Sequence, residues 1–575
     1  MGGVAVTAVL DYPTIKAQCG AIRDSHDAMR RAKPGVWLYT NKADGSPGLI
    51  KRGSAADNIA GNFPFKKGAT TFGTTGVLTL RIDHYLAKWL FTFPSDNTIK
   101  KNCVIRVDHM GGAVRWTGLL KFWKVVKKNG LYYGEFTFVD DLQYMQFLLG
   151  APNPLLPIPI FQFPRVLPIF GPTKWAISLM ILLNLIRVEG NLWNLPPDPF
   201  AVGAWASPFD WSGWQVLIKA NPFDLDDSSL WTLLATRMNR MDTVIQDALD
   251  DAQCVLTGRR VFTDEGETAD VPGVPVPANG ALILEVIDMS GYYGADGTAT
   301  GGGLVGGFTR TVQSFASGFV EDVQTFTSDN ETFPPSYYQA GYLGPGDPSV
   351  PFVVVRDSKY SAIDTAELTW GPATAVTAIV GGDNPIADQL ARLLIESIGA
   401  LIGYFLLGGF SGLGSIVADV IMPFLVGTIL AWLEWTNNSR AHNLGWVHLW
   451  EVYQAGAENN AWSLGAVVAL RSAFLATKSE SSHKFSMGEG GRWLPGIHFL
   501  PGSRIGSTFE LVSSSIIVDQ VEEMNLSWDW GNDKPHGYDV QVGLSKAAMS
   551  LAERQMRLIN KALATISNIG VHILS

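Results

Sequence analysis

The sequence predicts a multidomain α+β chain: β-rich domains with helical insertions, an apolar helical hairpin near residue 400 and an amphipathic helix at the C-terminal end. Three observations carry this. Alternating apolar and polar residues recur in the first 150 positions and again from about 440 to 545, the period-2 pattern of half-buried strands. The segment from Leu393 to Trp435 is interrupted by three charges, Glu396, Asp419 and Glu434. Finally, Met549, Ala552, Met556, Ile559, Leu563 and Ile566 step by 3 and 4, the spacing of a single helical seam.

Taken in order, "VLTLRID" (Val77 to Asp83) places Leu78, Leu80 and Ile82 on one face and Thr79, Arg81 and Asp83 on the other. "VIRVD" (Val104 to Asp108) is a second such strand, and "LLKFWKVVKKNGLYYGEFTFVDDL" reads as two strands around Asn129-Gly130. Asn-Gly is a strong hairpin signal because both residues tolerate φ > 0. Lys121, Lys124, Lys127 and Lys128 then form a solvated hairpin surface, and Asp140 or Asp141 caps a short helix, "LQYMQFLL".

Residues 151–172 hold seven prolines among apolar residues. Proline fixes φ and removes a donor, so this is neither helix nor central strand. Its apolar character predicts an arm lying on a protein surface, with Leu155, Ile158, Ile160, Phe161 and Phe163 against it. The uncharged run Trp175 to Ile186 is too short to span a bilayer and reads as a buried or interfacial helix. Residues 228–251 read as an amphipathic helix capped by Ser228 or Ser229, with Leu230, Leu233, Leu234, Met241, Val244, Ile245, Ala248 and Leu249 on one side. Strands follow at "VLTGRRVF" and "ALILEVID", then a Gly-rich, loop-dominated stretch over 290–350. In the C-terminal part "SSIIVDQVEEMNLSWDW" is the clearest strand, and the closing helix has Ser545 as cap and Gly570 as stop. The expected domains are 1–150, 151–255, 256–390, 391–436, 437–545 and 546–575.

At 575 residues the chain has length for two to five domains. Charged residues make up 17% and hydrophobic ones 47%, against roughly 25% charged in an ordinary globular protein. This fits extensive burial, within the chain or against partners. The net charge of -10 excludes a dedicated grip on nucleic acid, which needs a basic footprint, but suits a channel to which nucleic acid must not adhere. Cys19, Cys103 and Cys254 give neither a disulfide framework nor zinc spacing and read as small buried hydrophobes. The N-terminal residues lack a basic region followed by a long apolar one, so no cleaved signal peptide is expected.

Tests for chemistry come back empty. Gly301, Gly303 and Gly306 make a formal G-x-G-x-x-G, but it follows a loop rather than a strand opening a βαβ unit. No P-loop, H-E-x-x-H or G-x-S-x-G occurs. His442 and His448 are six apart, not a helical i, i+4 pair. Asp140/Asp141, Asp226/Asp227, Asp250/Asp251 and Glu522/Glu523 are sequence neighbours that point apart on a helix or strand, as caps and solvated faces do. No catalytic, metal-binding or cofactor-binding residue is assigned, and no cofactor.

The order of parts resembles a known family. "VIRVDHMGGAVRWTGLLKFWKV" with "NGLYYGEFTFVDDLQYM" is similar to the opening β domain of phage tail hub proteins. "FPRVLPIFGPTKWAISLMILLNLIRVEGNLW", "QAGYLGPGDPSVPFVVVRD", "IVGGDNP", "WEVYQAGAENNAWSLGAVVALRSAF" and "WLPGIHFLPGSRIGSTFE" resemble the minor tail protein, or tail-associated baseplate hub, of long-tailed actinobacterial phages. The resemblance covers most of the chain through the ordered set of motifs. It implies a structural virion protein of the tail tip, made in the host cytoplasm and assembled as a homotrimer with tube-like β domains. Its partners would be the distal tail protein, the tape-measure protein and other minor tail proteins, without sequence-specific binding of nucleic acid. The ring would close the tail tube and open for genome delivery. The alternatives are a tail-tip cell-wall hydrolase and an integral membrane or pore protein.

"SIGALIGYFLLGGFSGLGSIVA" (Ser397 to Ala418) has 22 residues and no charge, about 33 Å as a helix. Gly408, Gly409, Gly412 and Gly414 crowd its middle, and each interior glycine costs about 1 kcal/mol in a helix. A hairpin is therefore expected, with arms Leu393 to Leu407 and Ser415 to Trp435. Phe405, Leu406, Leu407, Phe410, Phe424, Leu425, Trp432 and Trp435 are its candidate plug or membrane-contact residues, for a transient contact with the host membrane. Met549, Ala552, Met556, Ile559, Leu563 and Ile566 are the candidate oligomer seam.

Overall fold

The structure is a computed structural model that describes residues 11–44, 48–55, 59–67, 72–156, 167–190, 211–220, 227, 229–289, 324–326, 353–358, 361–381, 432–454, 470, 473–474, 477, 480–487, 493–509, 513–529 and 537–543. It is β-rich with few helices. Helix α1 (Tyr12–Arg31) leads into β1 (Gly35–Asn41), β2 (Leu49–Ala55), β3 (Ile59–Lys66), β4 (Thr75–Arg81), helix α2 (Tyr85–Thr92), β5 (Val104–His109), β6 (Val114–Lys128) and β7 (Leu131–Asp140). These strands lie in the order β2-β1-β5-β6-β7-β4-β3, and every pair is antiparallel. The expected hairpin is present: Lys128 faces Leu131 across Asn129 (φ 52°) and Gly130 (φ 79°), the two left-handed residues a tight hairpin turn needs. Lys121, Lys124, Lys127 and Lys128 are exposed along it, as the pattern predicts. Helix α1 was not legible in the β reading of this region.

A middle module follows: α3 (Tyr144–Phe147), β8 (Leu149–Gly150), β9 (Leu167–Pro172), α4 (Thr173–Val188), β10 (Val216–Ile218), β11 (Trp231–Thr236), β12 (Asn239–Arg240), α5 (Met241–Ala252), β13 (Cys254–Val261) and β14 (Ala281–Asp288). Helix α4 is the buried apolar helix expected from its sequence; Ile177, Met180 and Ile181 are fully buried. Its core is shared with α5, β10, β13 and β14, on both sides of residue 255. The single helix expected over 228–251 is corrected. Trp231–Thr236 is instead a strand, paired along its length with β9, and only α5 is helical. Ser229 does cap a helix, but a different one. Its hydroxyl accepts from Lys174 N–H at 3.1 Å, and the Asp227 carboxylate accepts from Trp175 N–H at 2.9 Å. Two orphan donors of the first turn of α4 are thus satisfied from a distant loop. In the Pro-rich arm, Leu167–Pro172 forms β9 in a two-stranded sheet, where no strand is central; residues 157–166 lie outside the described residues.

The remainder supplies β15 (Gln324–Phe326), β16 (Val354–Val355), β17 (Ile363–Gly371), β18 (Ala375–Gly381), β19 (Trp432–Thr436), α6 (Asn438–Leu444), β20 (Leu449–Gln454), β21 (Glu480–Met487), β22 (Arg504–Phe509), β23 (Ser513–Trp528) and β24 (Gly537–Val542). Strand β23 pairs with β3 from Glu523↔Lys66 to Trp528↔Gly61, and on its other side with β24, then β21 and β17. The two ends of the chain therefore form one 14-stranded sheet over one core, in which Leu78, Phe63 and Phe136 meet Met524, Leu526 and Val540. Gly61 is required at the seam: a Cβ there would lie 2.4 Å from the Trp528 ring. Strands β19-β18-β20 form a separate three-stranded sheet.

Two further expectations are corrected. Cys103 and Cys254 are buried, but Cys19 is exposed on α1. The second arm of the apolar hairpin does not run as helix to Trp435, because Trp432 and Trp435 lie on β19, opposite Gly381 and Ala378. The β-branched partner strand β18 wins there over helical continuation.

Candidate assembly site

Strand β5 explains how the two cores are joined. In "VIRVDH" all residues after Val104 are buried, on both faces, because one face packs in the sheet core and the other meets the middle module. On that second face Arg106 and Asp108 sit two residues apart and bond at 2.7 Å. Arg115 of β6 holds Asp108 at 2.8 Å and grips both oxygens of Glu267 at 2.6 and 2.8 Å. Arg106 reaches Glu265 at 3.0 Å, while Tyr39 Oη donates to Glu265 at 2.8 Å and Lys51 lies at 2.6 Å from it. Its guanidinium lies 4.9 Å from the Trp37 ring centre and 5.0 Å from that of Phe262, a cation held between π faces.

The charges respond accordingly. Burial by itself raises the Glu267 carboxyl, but hydrogen bonds from Arg115 and from Phe262 N–H, with the Arg115 and Arg106 charges, override it and hold it at about 2. Burial, and then the bond to Glu265, push the Tyr39 phenol up. A second ion pair lies deeper: Arg260 of β13 grips Asp141 at 2.7 and 2.8 Å, and the Thr117 hydroxyl donates to the same carboxylate. Such a pair is costly to break from one side, because the remaining charge is buried unpaired. The two modules are thereby held in one orientation. Of the two residues expected to cap a short helix, Asp140 does stand at the N-cap position of the turn Asp141–Gln143; Asp141 instead neutralises Arg260, with Asp140 half-buried beside it. Burial first, and then the Asp141 charge, push Asp140 up to about 7, against opposing hydrogen bonds from Thr74, Leu142 and Gly73 N–H.

The other side of the sheet carries an open cleft of about 630 Å³ where β3, β4, β6 and β7 meet β23. Asn62, Thr79, Asn525 and Ser527 line it together with Lys128, Glu135 and Asp529, and Glu135 also pairs with Lys124 at 2.7 Å. Beside it the β6–β7 hairpin runs past its neighbours. Strand β5 pairs with β6 as far as Leu119, and Leu120 N–H still donates to Cys103 C=O, so among the described residues β6 after Leu120 is an open edge on that side. Phe122, Val125, Leu131 and Tyr132 are exposed there, with lysines interspersed in the manner that discourages indiscriminate edge pairing. A second exposed aromatic surface surrounds β20, where Trp446 is 96% and Trp450 78% exposed.

Of the candidate residues, Phe405, Leu406, Leu407, Phe410, Phe424 and Leu425 lie outside the described residues, as do Met549, Ala552, Met556, Ile559, Leu563 and Ile566. Trp432 and Trp435 are placed on an edge strand. Gly381 pairs with Trp432, and β20 runs parallel to β18 with Gln454 next to Val380. Gly381, Trp432 and Gln454 therefore stand at one end of the same small sheet. Among the described residues no cluster of His, Cys, Asp or Glu can hold a metal ion, and no helix is long and apolar enough to cross a membrane. Sequence reasoning missed Arg115, Glu265 and Glu267, which meet from segments about 150 residues apart. The signal within reach was Arg106 and Asp108 on one face of a strand otherwise made of core residues.

Comparison with known proteins bears on this arrangement. A family model described as Siphovirus ReqiPepy6 Gp37-like protein matches residues 68–543. The minor tail protein Gp28 of Mycobacterium phage L5 is 28% identical over 543 residues, covering 85% of this chain and 89% of the relative. Its counterpart in Mycobacterium phage D29 is 28% identical over 521 residues, covering 82% and 85%. Among solved structures, a tail protein from Neisseria meningitidis MC58 aligns over 89% of this chain and 97% of its own at 7% identity and a TM-score of 0.36. A 43 kDa tail protein of prophage MuSo2 from Shewanella oneidensis aligns over 88% and 98% at 9% identity and a TM-score of 0.35. Likeness at those scores is too loose to carry a function.

Proposed function

The chain belongs to the Siphovirus ReqiPepy6 Gp37-like family and is a minor tail protein of the virion tail; from that premise we propose that it is a hub subunit of the tail tip, which closes the distal end of the tail tube and opens for genome delivery. The observation that most supports this reading is the sheet built from an N-terminal and a C-terminal part of the chain, with a packed face and, on the other side, a polar cleft whose charged lining residues are Lys128, Glu135 and Asp529. A wall along which DNA slides must not bind phosphate, and each unmatched cation would add to salt-dependent adhesion. In the cleft Lys128 stands against two carboxylates, Glu135 and Asp529, and the chain as a whole carries -10. Coupling of the two cores through Arg106, Arg115, Glu265 and Glu267 suits a part that must transmit load without hinging.

In this reading three copies form a ring, with the open edge of β6 and the aromatic surface around Trp446 and Trp450 as contact surfaces for neighbouring copies, the distal tail protein, the tape-measure protein or other minor tail proteins. The seam from Met549 to Ile566 contributes to the association. Residues 393–431, in the proposed reading, form the element that fills the lumen before infection and then contacts the host membrane. The role is structural and not enzymatic. Mass measurement and zymography test these points together: a trimer that clears no cell-wall substrate is expected. A monomer at micromolar concentration, or a cleared zone, overturns the corresponding part. Particles carrying Leu406→Asp and Leu425→Asp are expected to fail in assembly or ejection; normal infection by them would remove the plug.

A further inference from the structure

Helix α1 has 20 residues and none of them is buried. Tyr12, Ile15, Cys19, Ile22, His26 and Met29 nevertheless step by 3, 4, 3, 4 and 3 along it, the seam of a two-helix contact. Only its last third is seated. Met29 packs on the sheet core, the His26 ring lies 5.3 Å from that of His498, and Ala32 C=O meets His109 Nε2 at 2.8 Å. The first two-thirds, about 21 Å at ~1.5 Å per residue, expose the seam: Tyr12 is 73%, Ile15 40% and Ile22 55% exposed. A helix of this length is marginal in water when its apolar face has nothing to pack on.

The flanks of the seam discriminate between occupants. One flank carries Lys16, Arg23 and Arg30; the other carries Asp11, Gln18 and Ser25. Among the described residues Lys16 and Arg23 make no ion pair, and the helix holds four basic against two acidic side chains on an acidic protein. An antiparallel second copy would set the two basic rows against each other. A parallel second copy would match only Lys16, to Asp11. The chain's own C-terminal seam offers one flanking acid, Glu553.

We propose that the exposed seam of α1 is a docking surface for an amphipathic helix of a neighbouring protein, with apolar residues in heptad spacing and carboxylates along the flank that meets Lys16 and Arg23. This surface does not depend on the tail-tip role. The test titrates the full-length protein with two synthetic four-heptad peptides, both with Leu in the seam, one flanked by Glu and the other by Lys. The acidic peptide is expected to bind saturably, at least tenfold more tightly than the basic one, and to weaken with salt. Ile15→Asp/Ile22→Asp is expected to abolish binding, and Lys16→Glu/Arg23→Glu to reverse the preference towards the basic peptide. Because these side chains are exposed, both variants are expected to keep the wild-type thermal midpoint and circular dichroism. Binding of neither peptide, or equal binding of both, overturns the proposal. So does a fall in oligomeric mass in Ile15→Asp/Ile22→Asp without acidic-peptide binding to the wild type, which would make a second copy the occupant.

Discussion

Replacing Asp140 by Asn is expected to stabilise the protein at pH 8 and to change little at pH 4. Asp140 lies in the wall between the sheet and the middle module, next to Asp141, and its pKa is raised to about 7 by burial first and then by the Asp141 charge. An unfolded aspartate titrates near 3.9. Between those values the folded state holds a proton that the unfolded state has lost. The contribution of this group to stability is therefore fully present below about pH 4, falls as pH rises, and is lost above about pH 7. Three units at 1.36 kcal/mol each set a ceiling of about 4 kcal/mol. Asn removes this titration and still presents an oxygen to Thr74 N–H, which the carboxylate accepts at 3.2 Å. At pH 8 a net gain of about 2 kcal/mol is a reasonable expectation once imperfect amide packing is subtracted. The assay is denaturant unfolding of wild type and variant at pH 4, 6 and 8, and the difference between them is the readout, because it cancels the other titrating groups. A variant that is equally destabilised at all three values would refute the account of Asp140 as a buried, partly protonated acid.

Other outcomes follow from the same contacts. Asp141→Ala leaves Arg260 buried and unpaired and is expected to cost about 3–5 kcal/mol, whereas Asp141→Ala combined with Arg260→Met should recover much of it; no recovery in the double variant would contradict the pairing. Ser229→Ala is expected to lower stability by about 1 kcal/mol, with loss of amide-exchange protection at Lys174 in the first turn of α4, not in residues 230–240. Gly61→Val forces a Cβ into the Trp528 ring and should separate β3 from β23, seen as increased exchange in both strands; unchanged exchange would place the seam elsewhere.

The period-2 strands and the Asn-Gly hairpin were legible because local chemistry decides them. Leu78 and Leu80 face the core, and Asn129-Gly130 turns the chain, whatever the rest of the protein does. The apolar helix α4 was legible for the same reason. Residues 228–236 were not. Leu230, Leu233 and Leu234 fit a helical face in sequence, but β9, some 60 residues earlier, offers a pairing edge, and tertiary context overrode propensity. Asp140 was legible as a cap, but the role of Asp141 was not, because its partner, Arg260, lies 119 residues away. Helix α1 was missed although its seam has the spacing recognised at the C-terminal end, because it stands at the head of a region dominated by strands. The candidate site was least legible of all. Its parts are contributed by β1, β2, β5, β6 and the turn after β13, and only folding brings them within hydrogen-bonding distance.

The most direct measurement is an image reconstruction of isolated tails carrying a label fused to the C-terminal end of this chain. A hub subunit predicts label density at the distal tip, in three positions around the tube axis, with the 14-stranded sheet lining the passage. Label spread along the tube or at the head-proximal end, or a single copy at the side of the tip, would contradict it.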